Sequence, residues 1–360
     1  MKKVLRLTLA ALILLTLAGG AFAYWLYRDL QAPITHSSSQ QYIEISRGSS
    51  TAEIFSKLKT AGVIRRDWPL LLYVRVRGLG PRLRAGEYRF PSPISPLGVL
   101  RKLEEGQQRL DRFTVIEGWT RWDIAAAMNR IPELGLADQN AALKLLNDPS
   151  LVADLDPSAQ NLEGYLFPDT YSFPPNTAPR QMVETMVKRF RQLWSERFAA
   201  EASAQNKSPR EILTVASLIE TEAKLTEERP RVASVIYNRV RLGIPLGVDS
   251  SVIYASKLAG KWRGDGKVYQ SDLDRESPYN TRKVRGLPPG PIASPGISSI
   301  EAALRPAQSD DLYYVRDPSR NDGAHNFYNN EADFYRGVQA LRDWERDRDS
   351  RNASAPNGNQ

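Results

Sequence analysis

Residues 7–27 are apolar at almost every position, a run of about 21 residues that spans roughly 30 Å as a helix, enough to cross a bilayer once. Lys2, Lys3 and Arg6 precede it, which predicts an N-terminus on the cytoplasmic side and the remaining chain outside. Ala21-Phe22-Ala23 resembles a signal-peptidase site, but the apolar run continues through Tyr24-Trp25-Leu26-Tyr27, an aromatic belt that favours a retained anchor. Residues 28–40 are polar and read as a linker. Two strand-to-helix units follow. Residues 42–48 alternate and close on Gly48, and Ser49-Ser50-Thr51 opens a helix over 52–61; residues 113–118 close on Gly118, and Trp119-Thr120 opens a helix over 121–129. Between them the pattern predicts a helix over 68–77 and a strand over 83–90.

The second half is mainly helical in pattern. A short helix is expected at 140–146, a loop at 149–159, an aromatic, turn-rich stretch at 162–173 and a long amphipathic helix over 179–203. Helices follow at 208–223 and at 230–242, the latter ending at Gly243. Ser298 and Glu301 have capping-box spacing for a helix that stops before Pro306, residues 312–317 and 325–328 read as a hairpin, and a last helix from about 330 runs into a polar tail, 346–360, expected to be disordered.

At 360 residues the chain has room for about two domains. Its net charge of +8 admits nucleic acid, an anionic membrane face or an acidic polymer as partner. No patch interleaves basic and aromatic residues, so nucleic acid is not expected. With no cysteine, disulfides, thiol catalysis and thiolate metal sites are excluded. His36 and His325 are the only histidines, too few for a multi-histidine metal centre, so neither metal nor cofactor is expected. No G-x-S-x-G elbow is present, and the S-x-x-K match at Ser56 and Lys59 lacks a K-T-G partner.

The helix over 208–223 carries the most pointed chemistry. Ser208 is a suitable N-cap, Pro209 suits the first helical position, and Glu211 has capping-box spacing. Ile212, Leu213, Val215, Ala216, Leu218 and Ile219 then leave almost no polar face, the mark of a buried helix. An acid there must be paired or stay protonated, and a carboxyl kept neutral by apolar walls is a general acid. Glu220 shares a face with Leu213, Ala216, Ser217 and Ala223, whereas Glu222 faces Val215, Leu218 and Ile219; helical geometry leaves both open.

Further motifs follow in order: LEGYLFPDTY at 162–171, ASLIETEA at 216–223, DSSVIY at 249–254, SPYNTR at 277–282 and GLPPGPIASPG at 286–296. The last cannot be helix or central strand and is expected to be a rigid extended wall suited to a polysaccharide. Together they resemble the endolytic murein transglycosylases of the MltG/YceG-like family. Arg305-Pro306-Ala307, Leu312–Val315 and His325-Asn326-Phe327 also fit, so that the likeness covers roughly residues 1–340. Gly247 departs from it, since the family usually has Gln there. The strand–Gly–cap–helix units resemble LysM modules, small βααβ glycan binders.

The resemblance implies an α+β fold: a membrane anchor (1–27), a linker (28–40), a LysM-like subdomain (41–135), a larger, mainly helical catalytic domain with a small hairpin (136–345), and the tail (346–360). It implies an endolytic cut of MurNAc–GlcNAc bonds that leaves 1,6-anhydroMurNAc ends, with Glu220 catalytic and Glu222 supporting. Glu220 would protonate the glycosidic oxygen and then take the proton of the C6 hydroxyl of the same sugar, whose internal attack replaces the second carboxylate of a hydrolase. Asp249, Tyr279, Asn280, Thr281, Glu163 and Ser217 are the expected substrate contacts, Ser217 on the face of Glu220 and Glu163 either hydrogen-bonding near the cleft or bracing its wall. The implied partners are peptidoglycan glycan strands, the inner membrane, and glycan polymerases and penicillin-binding proteins. The alternative is a non-catalytic peptidoglycan-binding anchor or a scaffold for wall synthases.

Overall fold

A computed structural model describes residues 2–106, 109–175 and 177–354. The described residues are mostly helical with three two-stranded sheets. It divides into two compact units, Met1–Arg112 with Ser172–Asn176, and Phe113–Tyr171 with Thr177–Gln360.

In the first unit, α1 (Lys2–Gln31) contains a stretch, Thr8–Gln31, long and apolar enough to cross a membrane. Its last turns are anchored by packing. Leu30 is buried in the core, and the rings of Phe22 and Trp25 stack with Trp68 at centroid distances of 6.3 and 6.1 Å. Then come β1 (Ile43–Ile45), α2 (Thr51–Thr60), α3 (Trp68–Arg77), β2 (Gly86–Tyr88) and α4 (Pro96–Glu105). β1 and β2 pair antiparallel, Ile43 opposite Tyr88. The local signals act as expected: Ser50 and Glu53 form a capping box on α2, and Gly78, at φ +64°, stops α3. The strand expected over 83–90 is confined to β2. No element was anticipated at α4, although Ser95-Pro96 followed by Val99, Leu100 and Leu103 carries the signal; Ser95 accepts the Gly98 N–H, and the three apolar residues join Phe55, Leu58, Leu70 and Phe90 in the core.

The division falls within β3 (Asp111–Thr114) and β4 (Thr170–Phe173), and the second unit contains α5 (Arg121–Asn129), α6 (Gln139–Leu146), α7 (Pro179–Leu193), α8 (Ala199–Ala204) and α9 (Pro209–Glu222). After these come α10 (Arg229–Leu242), α11 (Asp249–Leu258), α12 (Gln270–Leu273), α13 (Ile297–Leu304), β5 (Tyr313–Arg316), β6 (His325–Tyr328) and α14 (Glu331–Ser354). A π-helical turn over Trp194–Phe198 joins α7 to α8, so the long amphipathic segment is continuous. β5 and β6 form the expected hairpin.

Three boundaries differ from expectation. The units divide after Arg112, not after 135, because α5 packs on α6 and the residues before it bond within the second unit, Val115 N–H to Asp169 O and Gly118 N–H to Ser294 O. The box at Ser298 and Glu301 does not form: α13 starts at Ile297 with Gly296 as N-cap, leaving Ser298 to accept a bond from Arg229 and Glu301 to pair with Arg197. Residues 346–354 are helical rather than tail-like, because Asp343 and Arg346 pair at helical spacing and Arg348 lies over the Trp344 ring at 5.0 Å; residues 355–360 fall outside the described residues.

α9 is the centre of this unit, in contact with α8, α10, α11 and α13. Ser208 caps it by accepting the Glu211 N–H, and every residue from Ile212 to Ile219 is buried. Leu218→Ala is expected to destabilise the chain by about 2–5 kcal/mol, a loss of transfer free energy plus a cavity; equilibrium urea unfolding measures it.

Candidate active site

Glu220 sits in the last turn of α9 with a side chain only 5% exposed. It is not held among apolar walls. Arg229, at the start of α10, donates from Nη2 to Oε1 at 2.9 Å and from Nη1 to Oε2 at 3.4 Å. The backbone N–H of Gly296 donates to Oε2 at 2.8 Å. The expectation of a neutral acid in an apolar pocket is thus corrected: a buried carboxyl next to a buried guanidinium is stabilised as the ion pair. Arg229 in turn bonds Ser298 Oγ.

Glu117 lies at the same place. Its carboxyl crosses Gly296, where a methyl group would stand 1.9 Å from Oε1. Partial burial, and then the negative charge of Glu220, raise its proton affinity above that of an ordinary carboxyl, with Arg229 opposing. Neither Glu117 nor Arg229 stood out in the sequence. Glu117 read as the end of a strand before a turn glycine, and Arg229 was one of many arginines.

The Pro/Gly segment 286–296 is irregular, as expected, but most of it is buried and not an open wall. One face of α9 grips it. Arg210 donates to Pro289 O at 2.6 Å, Ser217 Oγ accepts the Ile292 N–H at 3.0 Å, and Glu220 accepts the Gly296 N–H. Gly164 of the aromatic motif has φ +81°, and a methyl there would stand 2.5 Å from Pro291 Cβ, so the close approach needs glycine.

Most of the expected substrate contacts are structural. Ser217 is fully buried, donating to Thr214 O and accepting from Ile292. Asn280 is fully buried, with Nδ2 donating to the carbonyls of Leu273 and Arg275 and Oδ1 accepting the Arg282 N–H. Thr281 is also buried, its hydroxyl accepting the Val248 N–H and bonding Ser251. Glu163 braces the cluster formed by Arg121, Tyr254 and Tyr279: it pairs with Arg121 Nη1 at 3.1 Å and accepts the Arg121 N–H, while its burial pushes its pKa up to about 7 against the pull of Arg121. In each case the loop backbone is satisfied from inside, because irregular segments lack ladder partners. These four assignments as substrate contacts are withdrawn.

Asp249 and Tyr279 keep exposed surface. Asp249 opens α11 with a side chain 56% exposed and pairs with Arg282 Nε at 2.8 Å. Tyr279 packs on Tyr254 at a centroid distance of 4.9 Å. Glu222 faces away into a separate group, accepting from Tyr314 Oη at 2.9 Å and Ser250 Oγ at 3.4 Å; burial raises its pKa. Gly247 has φ +67° and donates its N–H to Thr281 O, a left-handed turn in which glycine is the favoured residue. The described residues contain no group of three or more His, Asp or Glu side chains placed to hold a metal ion.

The fold and site define a helical protein whose central helix presents an ion-paired carboxylate next to a second, exposed carboxyl. The chain belongs to the YceG-like family, whose model matches residues 43–340. An endolytic murein transglycosylase of Bacillus subtilis is 35% identical over 314 residues, covering 82% of this chain and 84% of that protein. One of Streptococcus pneumoniae is 30% identical over 346 residues; the match covers 89% of this chain but only 62% of the longer relative. A crystal structure of a yceG-like protein of Listeria monocytogenes aligns with 83% of this chain and 99% of its own at a TM-score of 0.56 and 31% identity.

Arg121→Met and Glu163→Gln each strand a buried partner, Glu163 in the first and Arg121 in the second, and each is expected to destabilise the chain by about 3–5 kcal/mol. Thermal melts of the two variants decide it. Asn280→Ala is expected to lower Tm without raising KM; a raised KM with Tm unchanged would restore Asn280 as a substrate contact.

Proposed function

We propose that this chain is an endolytic murein transglycosylase that cleaves MurNAc–GlcNAc bonds in peptidoglycan glycan strands, with Glu220 as a catalytic carboxyl. The observation that carries the reading is the Glu220 carboxylate, fixed by Arg229 and the Gly296 N–H at the meeting of three segments. The family and its murein-cleaving relatives supply the substrate class.

A carboxylate held in this way is a proton acceptor. Placed against the C6 hydroxyl of a muramoyl residue, it takes that proton as O6 attacks the anomeric carbon, and the strand ends in a 1,6-anhydro sugar without consumption of water. Asp249 and Tyr279 are the remaining candidates for sugar contacts, by hydroxyl bonding and ring stacking. The β-α-α-β order of the first unit supports a LysM-like, glycan-holding role for it. The apolar helix, with Phe22 and Trp25 against Trp68, supports a single-pass anchor in the inner membrane with the body of the chain periplasmic, beside the glycan polymerases and penicillin-binding proteins whose products it would cut.

Glu220→Gln is expected to lower cleavage of un-crosslinked glycan at least about 100-fold, more than its lowered Tm, which follows from stranding Arg229, accounts for when assayed well below that Tm; near-normal turnover by this variant would remove Glu220 from the mechanism. Mass analysis of the wild-type digest is expected to show muramoyl ends one water lighter than reducing ends, and reducing ends would mean hydrolysis. Deletion of residues 1–27 is expected to release the protein from membranes with its activity on soluble glycan retained, as a sedimentation assay reports.

A further inference from the structure

We propose that Glu117 is a second catalytic carboxyl, which delivers a proton to the leaving glycosidic oxygen while Glu220 receives the proton of the attacking C6 hydroxyl. This rests on the transglycosylase reading above and divides between two side chains the work that one acid would otherwise do in turn.

The geometry places both carboxyls on one residue. Gly118 N–H donates to Ser294 O at 2.8 Å and Ser294 N–H donates to Trp119 O at 2.8 Å, two backbone bonds that clamp Gly118 and Trp119 against Ser294. It lays the Glu117 carboxyl over Gly296, whose N–H is bonded to Glu220. Gly118, whose φ of +80° favours glycine, lies beside Glu220 as well: a methyl there would be in ordinary contact with Glu220 Cγ at 3.9 Å. Gly296 has no side chain to separate the two acids, and any larger residue would displace Glu117.

Their surroundings are opposite. Glu220 is nearly enclosed, and both of its oxygens accept hydrogen bonds, from Arg229 and from the Gly296 N–H. Glu117 is exposed and, among the described residues, makes no hydrogen bond or ion pair. The charged groups acting on it are Glu220 and Arg229, and partial burial with the Glu220 charge outweighs Arg229 in favour of the protonated form. Two adjacent carboxyls in such different surroundings, one accepting from donors on both oxygens and the other open, are an arrangement by which one site supplies both an acid and a base.

The proton balance closes. The C1–O4 bond breaks as the Glu117 proton passes to O4, the C6 hydroxyl proton passes to Glu220, and O6 forms the new bond to C1. Glu117 is left as carboxylate and Glu220 as carboxylic acid, and return of the proton from Glu220 to Glu117 beside Gly296 resets the site.

The test compares wild type, Glu117→Gln and Glu220→Gln on un-crosslinked glycan and on a glycan oligomer whose terminal muramoyl residue carries dinitrophenolate, a leaving group that needs no proton. Glu117→Gln is expected to lose about 100-fold or more in kcat on glycan but to stay within about five-fold of wild type on the activated oligomer, whereas Glu220→Gln fails on both. Circular dichroism and Tm establish that each variant is folded, and Glu117→Asp, which keeps the acid, is expected to recover part of the glycan activity. Glu117→Gln within a few-fold of wild type on glycan overturns the proposal, as does an equal loss on both substrates. A wild type that leaves glycan uncut overturns the transglycosylase reading itself.

Discussion

The buried pair of Glu220 and Arg229 is the interaction on which the centre of this protein turns. Neither charge can be left alone in a helical core, and removal of one partner strands the other. The carboxylate also accepts the Gly296 N–H, and the guanidinium also bonds Ser298. One pair therefore joins the end of α9, the start of α10 and the N-terminus of α13. The chemistry proposed for Glu220 and the packing of the second unit share the same atoms.

Those atoms also explain how a segment as rich in proline and glycine as 286–296 comes to be ordered. Four prolines remove backbone donors, so no ladder can hold it. Side chains from a single face of α9 do so instead: Arg210 takes a carbonyl, while Ser217 and Glu220 take N–H groups. Across the segment, Gly164 admits Pro291 and the Gly118–Trp119 backbone bonds Ser294. Motifs far apart in sequence meet here because each supplies what the others lack.

The site that results is asymmetric. One acid is enclosed and charge-paired, the other open and unbonded, and a single glycine lies between them. Arg121, Glu163 and Tyr254, with Tyr279 packed on Tyr254, form a second polar group in the same unit that holds α5, α11 and the loop before β4 together.

The sequence by itself determined most of the helices, with α4, α11 and α12 the exceptions, and which helix is buried on every side. Caps such as Ser50 and Ser208, stops such as Gly78 and Gly243, and the all-apolar run of α9 are local effects, readable from neighbours along the chain. It also marked Glu220 as an acid in need of a partner. The identity of that partner was a tertiary matter. Arg229 lies nine positions away across a helix break, and nothing local separates it from the other arginines. The same holds for Glu117, an ordinary acid after a strand until two backbone bonds to Ser294 carry it onto Gly296. It holds in reverse for Ser217, Asn280, Thr281 and Glu163, polar residues in conspicuous motifs that the fold turns inward. A polar side chain in a loop looks the same in sequence whether it meets substrate or a bare carbonyl, and only packing chooses, because burial leaves no unpaired backbone group unanswered.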